Sequence, residues 1–128
     1  GKLIAHCPVD VTVIPFHHVG MEGVVPQKLT GEALYMYPLG GNQVTLRVGR
    51  RIDFEDLIIE HESKHGPLYK YSATDDDEVR WARSRPCELI LYSRITRRIE
   101  LAIKELELES KADENDAVKD AYRKLRHV

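Results

Sequence analysis

The sequence predicts an α/β fold, and three observations carry that expectation. The run Val11-Thr12-Val13-Ile14 is β-branched, which suits a buried strand. Val44, Leu46 and Val48 alternate with Thr45 and Arg47, the two-residue period of a strand with one wet face. Tyr92, Ile95, Ile99, Ala102 and Leu106 are spaced by threes and fours, which makes one apolar stripe on a long amphipathic helix. With 128 residues the chain is one ordinary domain or a large piece of one. Hydrophobic residues make up 42% and charged residues 31%, so the core is lean.

Residues 1–7 read as the last turns of a helix already under way, which suits a fragment of a longer chain. Pro8-Val9-Asp10 turns into a strand over 11–15, which Pro15 stops. A dense loop follows: Phe16, His17, His18, Val19, Gly20 and Met21, then Gly23 and Pro26. Two imidazoles, two glycines and a thioether at the carboxyl end of a strand make a plausible site, because open α/β sheets bind ligands there. The plainer alternative is a tight turn with one packed histidine. Residues 30–42 are turn-rich around Leu34-Tyr35-Met36-Tyr37, a strand-like or interfacial run.

The strand over 44–48 ends at Gly49, and Arg50 and Arg51 follow at once. Guanidinium forks match phosphate oxygens, so these two arginines are phosphate candidates; a solvated loop is the alternative. Asp53 is placed to cap a helix whose first turn holds Glu55 and Asp56. Ile52 before the cap and Leu57 inside the helix form a hydrophobic staple. Gly66-Pro67 stops this helix at about residue 65. Residues 66–79 are expected as an acidic, flexible insertion, since Asp75-Asp76-Asp77-Glu78 buries little.

From residue 80 the chain turns helical. Ser84 can cap, Pro86 fits the first turn, and the helix is expected to reach about residue 109. Residues 110–115 are expected to break it, with a short last helix over 117–128. The amino half is basic, with Arg80, Arg83, Arg85, Arg94, Arg97 and Arg98. The carboxyl half is acidic, with Glu100, Glu105, Glu107 and Glu109. That order opposes the helix dipole. An anionic surface near residues 80–98 would explain it, and so would pairing of Arg97 or Arg98 with nearby glutamates.

His61-Glu62-Ser63-Lys64-His65 fits the His-Glu-x-x-His pattern of zinc peptidases, in which two histidines hold zinc and the glutamate serves as base. Gly66-Pro67 ends the helix on the second histidine, and no His-x-x-Gly-x-x-His continuation follows. No metal or cofactor is therefore expected. The net charge is −2. There is no Cys-x-x-Cys; a reduced compartment is the simpler reading of Cys7 and Cys87, with a disulfide left open. No run is long enough to span a bilayer, and no leader is visible. The arginines lack the interleaved aromatics of a nucleic-acid surface.

Pro15-Phe16-x-His18-x-Gly20-Met21, followed by Pro26, resembles the tafazzin branch of the glycerolipid acyltransferases. Leu3-Ile4-Ala5, the 44–49 segment, and Ile52-Asp53-Phe54 with Asp56-Leu57 resemble its neighbouring segments, in the family's order. The resemblance covers about residues 1–60. It implies the C-terminal portion of an enzyme that moves acyl chains between phospholipids and lysophospholipids. It also implies peripheral contact with the mitochondrial membrane and cardiolipin remodelling. The implied fold is the C-terminal part of a mixed sheet with flanking helices, with an acyltransferase half over 1–65 and helices over 80–128.

The family's His-x4-Asp motif and its Gly-rich phosphate motif lie upstream of the matching segment, and neither is present here. His17 with Glu22 has the right separation but the wrong acid, so no catalytic residue is assigned in this chain. Pro15 and Gly20 would set the loop's path, and Phe16 would line the lipid site. His18 would orient the lipid head, and Met21 would pack on an acyl chain. Arg50, Arg51, Arg94, Arg97 and Arg98 would meet phosphate or membrane. A non-catalytic membrane-binding module is the alternative from another class.

Overall fold

A computed structural model describes residues 1–21, 43–76, 78 and 83–125, with backbone alone for 121–125. Among these, the elements in order are α1 (Lys2–His6), β1 (Phe16–Val19), β2 (Thr45–Val48), α2 (Glu55–His65) and α3 (Pro86–Leu125). The fold is mixed α/β, with a two-stranded antiparallel sheet and a long C-terminal helix. Packing divides the chain into two units. The first is Gly1–Pro15 with Arg50–Ala102, and the second is Phe16–Gly49 with Ile103–Val128.

Among the described residues, the core cluster lies in the first unit. Ala5, Ile52, Phe54, Leu57, Leu68, Leu91 and Ile95 form one buried cluster, with Tyr92, Ile99 and Ala102 partly buried against it. The apolar stripe read from the sequence is therefore the face that α3 buries here. Ile52 and Leu57 lie in that cluster, as a staple requires. α2 begins one residue later than its cap signal. Phe54 is the N-cap and has no side-chain cap bond. Asp53 instead accepts the Glu55 amide at 3.1 Å. α2 ends at Gly66, whose φ of 86° suits glycine and whose N–H reaches the Glu62 carbonyl at 3.0 Å.

The expected acidic insertion starts as packed chain. Leu68 is buried, the Tyr71 amide donates to the His6 carbonyl at 2.9 Å, and Lys70 Nζ donates to the Ala5 carbonyl at 2.9 Å. α3 is capped by Arg85, whose carbonyl accepts from Leu89, rather than by Ser84. Glu88 reaches back to the Arg85 amide at 2.9 Å, half of a capping box.

Four expectations are corrected. The first strand is not 11–15. Val11 and Ile14 are exposed, and Val13 makes only an isolated bridge to Ile52. The strand begins after Pro15, because residues 16–19 find a partner ladder in 45–48. The second correction concerns β2, whose apolar side is the exposed one. Arg47 is turned toward Glu109 and Asp113 of α3 instead. Third, α3 does not break at 110–115 but runs unbroken to Leu125. Ser110 is buried beside His17, and Lys111 pairs with Glu107 one turn back. The mixed sheet expected from the sequence is, among the described residues, purely antiparallel.

Candidate functional site

The motif around residues 15–21 is built on β1. In the ladder Phe16 lies opposite Val48 and His18 opposite Leu46. Directly opposed residues share a face, and alternate residues share it too. Phe16, His18, Leu46 and Val48 therefore form one side of the sheet, and Phe16, Leu46 and Val48 are 57%, 59% and 61% exposed. His17 and Arg47 occupy the other side, where His17 Nδ1 lies 3.3 Å from Ser110 Oγ and Arg47 pairs with Glu109 at 3.3 Å and with Asp113.

Gly20 ends the strand with φ of 93°, and a Cβ there would run into the Gln43 carbonyl oxygen. Gly20→Ala is expected to cost about 1–3 kcal/mol in backbone strain. Hydrogen exchange should show it as lost protection of the β1 and β2 amides, whereas Met21→Ala leaves those amides unchanged.

Pro15 is buried, and Phe16, His18 and Met21 are exposed. Arg50 and Arg51 are exposed and make no ion pair among the described residues. Arg51 lines a cleft of about 430 Å³ together with Ile4, Ile58 and Lys70. Arg94, Arg97 and Arg98 of α3 are all engaged. Arg98 forks onto Asp56 of α2 at 2.6 and 2.8 Å, and this hydrogen bonding holds the Asp56 carboxyl at about 2. Arg94 bonds Glu60 at 2.8 Å, and with Lys64 it holds that carboxyl at about 2. Arg97 pairs with Glu100 one turn on, at 3.3 Å. Each of these three arginines thus has an acidic neighbour within the first unit. Arg80, Glu22, Pro26 and Tyr35 to Tyr37 lie outside the described residues.

In the His-Glu-x-x-His segment, His61 is buried, and Glu62 Oε1 accepts the Leu68 amide at 3.0 Å. The glutamate is thus committed to fastening the chain that follows α2. Among the described residues no three metal-ligating side chains gather, and both cysteines are free.

The sequence reading missed a buried polar cluster. His6 Nδ1 lies 2.6 Å from the Tyr69 carbonyl, and Nε2 bonds the Tyr92 hydroxyl. A carbonyl only accepts, so Nδ1 carries the hydrogen; in the neutral ring Nε2 accepts from Tyr92. Burial pushes the Tyr92 phenol up. Burial also pushes Glu88 upward, but the Arg85 amide and guanidinium outweigh it and hold the carboxyl below its usual range. These groups line a cavity of about 250 Å³. The only sequence signal was Tyr69-x-Tyr71, an alternation that puts two phenols on one side of an extended segment.

Set against protein-family models, curated proteins and solved structures, the chain has no significant match in any of the three. No helix among the described residues is long and apolar enough to cross a membrane.

Proposed function

We propose that the chain is the C-terminal portion of a tafazzin-like acyltransferase that moves acyl chains between phospholipids and lysophospholipids. The observation that carries this reading is the exposed face of the β1–β2 ladder, with Phe16, Leu46 and Val48 around the single imidazole of His18. An acyl ester is apolar along its length and polar at one end. A face with three large apolar side chains and one hydrogen-bonding ring suits both parts. Gly20 sets the turn that ends this face, and Met21 adds a polarisable apolar side chain at its end.

In this reading Arg51, which has no ion pair among the described residues and lies beside its cleft, serves a phosphate. The sheet belongs to a larger acyltransferase-like sheet, since an isolated two-stranded ladder is marginal in water. The general base is a histidine of an upstream His-x4-Asp motif, and the chain's own residues bind and orient the lipid. The site of action is the mitochondrial membrane surface, with cardiolipin among the lipids remodelled.

The test is to sequence the reading frame upstream of Gly1 and to assay both lengths with a phospholipid donor and a lysophospholipid acceptor. The extended chain is expected to carry His-x4-Asp and to transfer acyl groups, while the 128 residues alone are inactive. A stop codon close upstream of Gly1, or turnover by the 128 residues alone, would overturn the reading.

A further inference from the structure

α2 places His61 and His65 one turn apart on the same face, because residues four apart on a helix are neighbours. Their ring centroids are 4.9 Å apart, with the planes tilted by 43°. His61 is 6% exposed, and its Nε2 is buried with no hydrogen-bond partner among the described residues. Buried polar atoms are nearly always partnered, so an orphaned ring nitrogen calls for a ligand. His65 is exposed at the end of the helix.

Both rings line a cavity of about 120 Å³, walled also by Cys87, Lys64 and Arg94. A water takes about 30 Å³, so an ion with two or three waters fits. Glu60 bridges the two cations in that wall, binding Lys64 at 2.7 Å and Arg94 at 2.8 Å, and so offsets one of their two charges.

The geometry points to a site for a borderline divalent cation of the zinc and nickel class, held by His61 Nε2 and a ring nitrogen of His65, with water completing its shell. Imidazole suits those ions, whereas magnesium and calcium take oxygen ligands. Two protein ligands leave the shell open, unlike the closed four-ligand shells of structural zinc. Glu62 is bound to the Leu68 amide, so the site holds an ion without a peptidase's base. The site is independent of the lipid reading, since both ligands stand on α2 and neither belongs to the β1–β2 face.

The experiment is calorimetric titration of the 128-residue chain with Zn²⁺ and with Ni²⁺, in excess Mg²⁺, at a pH above 7. One saturable site is expected, unaffected by Mg²⁺. His65→Ala, an exposed change that leaves the core alone, should weaken binding at least about tenfold, or about 1.4 kcal/mol. His61→Leu should abolish binding and keep the melting temperature, because an apolar group replaces an unpartnered ring. Cys87→Ser should leave binding unchanged. Zn²⁺ should also raise the melting temperature of the unaltered chain by more than that of His65→Ala. Absence of saturable binding would overturn the site. So would binding that survives both histidine changes, or that disappears with Cys87→Ser.

Discussion

Ile95→Ala is expected to remove about 3–5 kcal/mol of stability, the upper part of the range for buried aliphatic truncations. Ile95 is 0% exposed and sits in the cluster formed by Ala5, Ile52, Phe54, Leu57, Leu68 and Leu91. The substitution deletes three carbons from a place that solvent does not reach, so it leaves a cavity as well as losing the transfer term. Domains are stable by about 5–15 kcal/mol in all, so this is a large share. The melting temperature should fall by about 10 °C or more, at several degrees per kcal/mol. Ile90→Ala is the control. Ile90 lies on the same helix but is 65% exposed, so its truncation should stay within about 0.5 kcal/mol. Urea melts of the two variants settle the comparison, and equal losses would mean that α3 does not bury the stripe through Ile95.

That contrast was legible in the sequence, and the reason is period. A helix repeats every 3.6 residues, so Tyr92, Ile95, Ile99, Ala102 and Leu106 had to share a face, and the structure buries or half-buries each of them. The end of α2 was legible for a similar reason, since Gly66-Pro67 blocks continuation and Gly66 takes a positive φ. Period alone does not say which side of a strand is covered. In β2 the alternation was read correctly, but the covered side carries Arg47, because Glu109 and Asp113 of α3 hold the guanidinium. Nor does composition choose a strand's partner. Val11 to Ile14 looked like the better strand, yet residues 16–19 carry the ladder.

Unbroken α3 teaches the same point from the other side. Ser110, Asp113 and Asn115 are weak helix formers, which suggested a break. Their cost is a few tenths of a kcal/mol each, and tertiary contact overrides it. Ser110 is buried near His17 and Arg47 reaches Asp113, while within the helix Lys119 pairs with Asp116 at 3.2 Å. The charges of α3 divide likewise. Arg97 with Glu100 is a local pair and was readable at its spacing of three. Arg94 with Glu60 and Arg98 with Asp56 join α3 to α2 across more than thirty residues, which no local pattern announces.

His6→Ala is expected to cost about 2–4 kcal/mol, the effect of a residue that carried no sequence signal at all. The ring is buried, it packs on Tyr71 at 5.1 Å and on Tyr92 at 5.6 Å between centroids, and both of its nitrogens are bonded. Truncation removes one partner of the Tyr92 hydroxyl, which Ser84 and Glu88 also reach, and the ring donor of the Tyr69 carbonyl, and a hydrogen bond so lost costs about 1 kcal/mol beside the packing. His6→Phe separates the two causes. It keeps ring volume and loses the same two hydrogen bonds, so it should recover only the packing part. Tyr92→Phe removes the hydroxyl alone, and its loss should be smaller once position 6 is already phenylalanine. The cycle of His6→Phe, Tyr92→Phe and the double variant should give a coupling of about 1 kcal/mol, the usual worth of one hydrogen bond. Additive losses would mean that His6 holds α1 to α3 by packing alone.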